Sequence, residues 1–407
     1  MPDHPTPSAP ATAVVAGLCA HGLAVVRSLG RAGVPVVALE ARRELPGYRT
    51  RVAKVIHTPD INGIGLIDAL QTLRNQLPAT PEPVLFLTND NMVRVVARHW
   101  EDIDGLYRLS WGHCRDSILS LLDKASLEAH CRENDLPYPR TWTFHSQDNP
   151  HHVSLNNLEA QGLTFPLIVK PTQPLSGFKV RLVRSRNELV ELVNSYPNAL
   201  PFLLQHWIQG GDRRILFVAL YLDQGRILAR FTGRKLASQP PAMGQTTVAE
   251  SYQHERMEAL AEEFFKPLRL SGPVSLEAKL DDHGNPWIIE PTLGRTDYWL
   301  DCCTANGVNL PWVEYQSQCG LPGTTPRQTA GTIWFDTESS PASYLRLRWL
   351  GGETATARWN ARFAYWDRRD PAPSVWAMWR FLKWFISRAW AKAIQVIRRG
   401  RPLRAQP

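Results

Sequence analysis

SGPVSLEAKLDDHGNPWIIEPTLGRTD, residues 271–297, is the stretch whose reading decides the fold. Two runs of apolar and β-prone residues, Val274 to Leu280 and Trp287 to Pro291, flank Asp281-Asp282-His283-Gly284-Asn285. A polar, glycine-containing segment between two such runs predicts a β-hairpin. A turn symmetric about His283 and Gly284 sets Leu280 opposite Trp287, Lys279 opposite Ile288 and Glu277 opposite Glu290. Facing side chains on an antiparallel pair lie roughly 4.5–5.5 Å apart at Cβ, and like charges there repel. A positive group therefore belongs between the two acids. A hard divalent cation, held by one or two carboxylates and by substrate phosphates, would meet that need. The plain alternatives are two solvated acids on an open sheet face, or a register shifted by one residue.

The chain of 407 residues is long enough for two or three domains with their own cores. Hydrophobic residues at 43% and charged residues at 21% describe an ordinary globular protein. Its six cysteines, Cys19, Cys114, Cys131, Cys302, Cys303 and Cys319, show no CxxC spacing, which argues against a zinc site or a disulfide scaffold and for a reducing, cytoplasmic setting. Residues 1–12 are rich in Pro and Ala, lack the basic and apolar regions of a signal peptide, and read as a disordered leader. The net charge of +8 resembles a nucleic-acid signal until it is located. From Trp376 onward the chain carries Arg380, Lys383, Arg388, Lys392, Arg398, Arg399, Arg401 and Arg404 and no acid, so the tail holds the whole excess and no nucleic-acid partner is expected.

From Ala13, VVAGLCAHGLAVVRSLGRAGVPVVALEA alternates strand, glycine turn, amphipathic helix and strand, a βαβ unit that opens a doubly wound α/β domain. Gly17 and Gly22 lack the GxGxxG spacing, and no clean acid closes the second strand, which disfavours a nicotinamide or flavin. Val84 to Thr88 is a further strand, with Asn89-Asp90-Asn91 at its carboxyl end, where open α/β sheets place ligands; Asp90 either caps the next helix or faces substrate. A helix carrying Lys124 runs to Leu136-Pro137. FPLIVKPTQPLSGFKVRLV then puts Lys170 at a strand end before a loop with Ser176 and Gly177, which suits a phosphate cradle, though without the GK[ST] ending of a P-loop. In FLLQHWIQGGD, Gln205 and His206 interrupt an apolar run that leads to Asp212. Arg234, Lys235 and the loop Ser238 to Thr247 either fold over an anion or form an exposed connection. Arg295 leaves the same strand end as Glu290, and its guanidinium fork suits a phosphoryl or carboxylate group.

In that order, strand-end lysine, hinge, basic pair and acid-bearing hairpin resemble the ATP-grasp superfamily, in particular its carboxylate–amine ligases of the D-aspartate ligase and carbamoyl-phosphate-synthase-like type, over roughly residues 13 to 320. The resemblance implies an α/β chain, α+β in its ATP-grasp part: a Rossmann-like domain over 13–112, a two-lobed ATP-grasp domain over 113–320 (lobes 137–205 and 206–320), an extension over 321–375 and a basic amphipathic tail over 376–407. It implies ATP and Mg2+, with Mn2+ as a substitute. Glu277 and Glu290 fall on the family's metal acids, Lys124 and Lys170 on its phosphate lysines, Gln205, His206, Trp207 and Ile208 on its adenine hinge, and Asp212 on its ribose acceptor. Arg234 and Lys235 fall on its basic loop, and Arg295 on the arginine after the second acid. The implied reaction joins a small carboxylate to an amine. Thr292 stands where the family usually has Asn, and the phosphate loop is short of glycine; a non-catalytic ATP-binding protein is the alternative.

The stretch VWAMWRFLKWFISRAWAKAIQVIRRGR places Trp376, Trp379, Trp384 and Trp390 among regularly spaced basic residues, with apolar runs too interrupted for a membrane span. Two readings stand side by side: a helix lying on the inner face of an anionic membrane, and a helix packed on the body with its arginines in water.

Overall fold

In the computed structural model the described residues are 10–145, 153–172, 178, 180–323, 325–351 and 358–399. They form three sheets. The first is parallel, in the order Lys54–His57, Val36–Glu40, Ala13–Ala16, Val84–Leu87. Its two central strands, AVVA and VVALE, are wholly buried, as the unbroken apolar runs of a doubly wound sheet require. Gly17 sits at φ +91°, and a Cβ there would fall 2.1 Å from Thr88 Oγ1, while one on Gly22 would fall 2.0 Å from the Gly17 carbonyl. Both glycines are thus needed for helix Ala20–Arg31 to leave the strand closely. An acid does close the second strand, contrary to expectation. Glu40 is buried, and it accepts from the N–H groups of Leu18 (2.6 Å) and Arg42 (2.9 Å), so its carboxylate braces the turn.

The second sheet is antiparallel, in the order Thr141–Phe144, Phe202–His206, Leu167–Pro171, Arg181–Val183, and buries Phe144, Leu167, Val169, Phe202 and Leu204 against helix Arg186–Ser195. The third runs Pro286–Leu293, Gly272–Leu280, Ile215–Asp223, Arg226–Gln239, Gln245–Ser251, Thr332–Phe335, Asn360–Phe363. The segment beyond residue 320, read as an extension, therefore contributes two strands to this sheet. Gln224 and Gly225, at φ +50° and +83°, supply the left-handed turn between Ile215–Asp223 and Arg226–Gln239. The connection expected over Ser238 to Thr247 shrinks to residues 240–244, because both strands run further than their composition suggested. The single helix expected around Lys124 is two, Arg115–Leu121 and Lys124–Glu133.

The first and third sheets share one apolar cluster. Trp111 is fully buried there and donates through Nε1 to the Gly294 carbonyl at 2.8 Å. Gly272 and Gly294, both at positive φ, leave the room its indole occupies. At the far end Arg27, 2% exposed, meets Asp370 at 3.0 Å and the carbonyls of Ala364 and Tyr365, tying the C-terminal segment to the first helix.

Candidate active site

The deciding hairpin folds as an antiparallel pair with Glu277 opposite Glu290, but not by the uniform register expected for it. Near the turn Leu280 faces Pro286, Lys279 faces Trp287 and Ala278 faces Ile288, one residue off. A β-bulge between Glu277 and Ala278 takes up the difference and restores the pairing at the acids. The turn itself is held by Asp281, whose carboxylate accepts from the N–H groups of His283 and Asn285 and from Trp287 Nε1, and which those bonds keep at about 2.

A cavity opens between the second and third sheets. Ile168, Val180 and Leu182 from one side and Ile215 and Ile288 from the other form apolar walls, and Lys170, Lys235, Glu277, Lys279 and Glu290 gather on the remaining wall. Glu277 is buried and Glu290 exposed. Lys235, two strands away on Arg226–Gln239, reaches the buried acid: its Nζ donates to Glu277 Oε2 at 2.7 Å, and both side chains are at most 10% exposed. Burial alone would pull the Lys235 ammonium down, but Glu277, Glu290 and Asp297 outweigh it and hold it above its ordinary value. Burial also pushes the Glu277 carboxyl up, helped by Asp297 and Glu290 and opposed by Lys235. Trp299, stacked on Phe217 at 3.8 Å, points Nε1 at Glu277 Oε1 at 3.4 Å. The positive group that two facing acids require is thus, in part, a lysine of the chain.

The other expected residues distribute unevenly. Lys170 Nζ donates to Gln205 Oε1 at 3.1 Å, and Gln205 is anchored in turn on Thr141. Lys124 donates to the Pro171 carbonyl at 2.7 Å, and burial together with Lys170 lowers its pKa, which places a second ammonium beside the first. His206, Trp207 and Ile208 line the cavity; the His206 N–H is already bonded to the Arg140 carbonyl, while Trp207 and Ile208 lie beyond the strand end. Asp212 does not line this cavity. Its carboxylate accepts from Ser238 N, Ser238 Oγ and Ala242 N, and so shapes the turn whose residues Ala242 to Gly244 do line it. Arg234 also points elsewhere: neighbours on a strand alternate faces, so with Lys235 turned inward Arg234 pairs with Glu250 and lies over Tyr252 at 4.0 Å. The loop holding Ser176 and Gly177 lies outside the described residues.

Asp90 does not cap the helix that follows it; Asn89 does, accepting from Met92 N at 2.9 Å. Asp90 instead receives Arg295 Nε at 2.6 Å, linking the first sheet's carboxyl end to the hairpin's exit. Sequence reasoning missed Asp297. It is half-buried, accepts from Ser275 Oγ (3.1 Å), Thr292 Oγ1 (2.8 Å) and Tyr298 N, and lies 3.9 Å from Arg295. Despite burial, Arg295, Thr292 and Tyr298 hold its carboxyl below the ordinary range. Thr292, where an Asn was expected, thus orients a carboxylate next to Glu277. Its signal in the sequence was an acid two residues after Arg295.

A second cavity of about 320 Å³ opens at the carboxyl ends of the first sheet's strands, beside the neighbours Ala13–Ala16 and Val84–Leu87, between which the strand order reverses. Cys19, Arg42, Asn62 and Asn89 line it. His21 Nε2 donates to the Thr88 carbonyl at 2.6 Å, leaving Nδ1 to accept from the Cys19 thiol at 3.4 Å. Burial opposes ionisation of that thiol, but His21, Gly22 and Thr88 prevail and lower it to about 7. The imidazole edge meets the Tyr298 ring at 5.6 Å, so this cavity adjoins the residues around Arg295.

Among the described residues no three acids, histidines or cysteines converge on one point as a closed metal site. A closed site is not what magnesium needs, since it takes one or two carboxylates and completes its shell from phosphate and water. Glu277 uses two of its roughly four acceptor sites on Lys235 and Trp299, and Glu290 stands exposed at the mouth, so the pair fits such an ion.

No protein-family model matches the sequence, and neither does any curated protein. Solved structures do resemble the fold. N5-carboxyaminoimidazole ribonucleotide synthetase in its ADP complex superposes with a TM-score of 0.61 at 15% identity, covering 79% of both chains. The biotin carboxylase domain of the Hydrogenobacter thermophilus 2-oxoglutarate carboxylase, bound to MgADP and bicarbonate, gives 0.58 at 14% identity over 79% of this chain and 73% of that one. L-amino acid ligase from Bacillus licheniformis gives 0.56 at 15% identity over 78% and 75%. These solved structures share the fold of this chain.

Proposed function

We propose that this protein is an ATP-dependent ligase that activates a small carboxylate as an acyl phosphate and joins it to an amine. The observation that carries the reading is the bulge-corrected pairing of Glu277 with Glu290 beside the buried Lys235, at the polar wall of an otherwise apolar cleft between two sheets. ATP-grasp structures of this shape hold ADP or MgADP. The apolar walls suit a purine, and the ends of Gln205 to Ile208 would read its edge. Lys124, Lys170 and Lys235 would meet the phosphate oxygens. Glu277 and Glu290 would hold a magnesium ion, or manganese in its place, which when bound offsets phosphate charge during transfer. Catalysis in such a site is mostly positioning and fixed charge.

The substrate carboxylate displaces ADP at the γ-phosphorus to give the acyl phosphate. The amine then adds to the acyl carbon and expels inorganic phosphate, with Arg295 facing the oxyanion. Arg295 suits that role because Asp90 and Asp297 fix its direction. Asp90 and the Cys19 cavity, at the carboxyl ends of the first sheet, adjoin this arginine and are where the acceptor would enter. The test is ADP release from ATP and magnesium across pooled amino acids and small carboxylates, with Glu290→Gln as control. Acceptor-dependent release lost in the variant is the expected result. Tight ATP binding with no release for any acceptor would instead mark a non-catalytic ATP-binding protein.

A further inference from the structure

The helix Ala372–Arg399 has two opposite faces that the ligase reading does not use. One is docked on the body. Ala377 is buried, Trp376 Nε1 donates to the Glu44 carbonyl at 2.8 Å, Arg49 lies over the Trp376 ring at 4.2 Å, and Arg380 pairs with Glu338 at 2.6 Å. Positions 373, 376, 377 and 380 recur at helical spacing, so this face is continuous. The other face carries Val375, Met378, Trp379, Leu382, Phe385 and Ile386, each between 49% and 61% exposed. These six also follow the helical period, half a turn away from the docked face. Because the docked contacts fix how the helix is rotated on the body, the apolar stripe is held outward and cannot turn in to cover itself.

We infer that this outward face is a membrane-docking surface for an anionic phospholipid bilayer, on which the helix lies flat. Charge complementarity selects that partner. Between Trp376 and Pro407 the chain holds eight Lys or Arg and no acid, and one of them, Lys383, lies over the Trp379 ring of the stripe at 5.3 Å. An apolar stripe with tryptophan, accompanied by basic residues, is what an interfacial helix presents to headgroups and the acyl boundary. A second copy of the same helix would bring like charges together across the contact, which disfavours self-association. Nucleic acid would answer the charge but leave the stripe in water. Spanning is excluded for this helix, since among the described residues no helix is long and apolar enough to cross a membrane. Docking this way would hold the body, and its cleft, at the bilayer surface.

The experiment is flotation of the full-length protein with vesicles of phosphatidylcholine, with and without phosphatidylglycerol, for the wild type and for Leu382→Glu/Phe385→Glu. Both substituted positions are half exposed and lie on the face turned from the body, so the fold tolerates the change, and unaltered circular dichroism and ATP binding check it. The wild type is expected to float with the anionic vesicles about ten-fold more than with the neutral ones, and the variant to lose that excess. Added salt should weaken binding, each basic residue at the surface being worth about five-fold. Three results would overturn the proposal: equal flotation of variant and wild type, no flotation of the wild type, or a shift from dimer to monomer in the variant without lipid binding. Retention on duplex DNA that the double substitution leaves unchanged, with no flotation, would reassign the tail to nucleic acid.

Discussion

The Lys235–Glu277 pair allows stability and function to be separated in one experiment. Both side chains are at most 10% exposed and their atoms are 2.7 Å apart, so Lys235→Met would leave a carboxylate in the interior with only a 3.4 Å contact from Trp299. Removing one partner of such a buried pair costs about 3–5 kcal/mol, because the remaining charge has lost its compensation. At about 1.4 kcal/mol per power of ten, the folding equilibrium moves by roughly two to four decades. Replacing both groups, as in Lys235→Met/Glu277→Leu, removes the uncompensated charge along with the pair, and the double variant is expected within about 1 kcal/mol of the wild type. Urea unfolding followed by tryptophan fluorescence and far-ultraviolet circular dichroism at pH 7 measures the wild type, both single variants, Lys235→Met and Glu277→Leu, and the double variant. The same double variant should release no ADP, since it lacks both the acid and the ammonium assigned to the phosphates. Single variants costing less than about 1 kcal/mol, or a double variant as damaged as the sum of the singles, would refute the reasoning.

Glu314 is buried with Ser110 Oγ as its hydrogen-bond donor at 2.6 Å, and burial pushes its pKa from 4.5 to about 8. The folded state thus holds this proton more tightly than the unfolded one, so stability falls as pH rises from about 4.5 to 8, by at most about 1.4 kcal/mol per pH unit. Glu314→Gln should flatten that slope in unfolding measured across the window, and an unchanged slope would place the titration elsewhere. With its thiol lowered to about 7, Cys19 should reach half its maximal rate of alkylation by iodoacetamide near neutral pH, and His21→Gln should move that midpoint upward, read by mass spectrometry of the labelled peptide. Trp111→Ala should cost about 3–5 kcal/mol by opening a cavity between the first and third sheets; Gly294→Ala should destabilise too, since its added Cβ would fall 2.9 Å from the Trp111 ring at a positive φ. Both are read as midpoint shifts in urea.

The sequence alone located the opening parallel strands, the acid-bearing hairpin and the amphipathic tail, because each is written in its own neighbours: unbroken apolar runs, a glycine turn between β-prone stretches, a helical spacing of tryptophans. Even there one detail was non-local. Beside the turn the pairing is one residue off the symmetric register, and Glu277 faces Glu290 only because a bulge corrects it, in a strand that also pairs with Ile215–Asp223 on its other side. Tertiary structure decided the rest. Arg234 and Asp212 were matched by position in a motif, but strand alternation turns one away and a turn's three donors engage the other. Asp297, Asp90 and Arg295 come together from two different sheets, as do Trp111 and Gly294, and Thr332–Phe335 joins the third sheet beside Gln245–Ser251. No periodicity announces such meetings. They are fixed by which distant surfaces share a core, and a residue's neighbours along the chain carry no record of that.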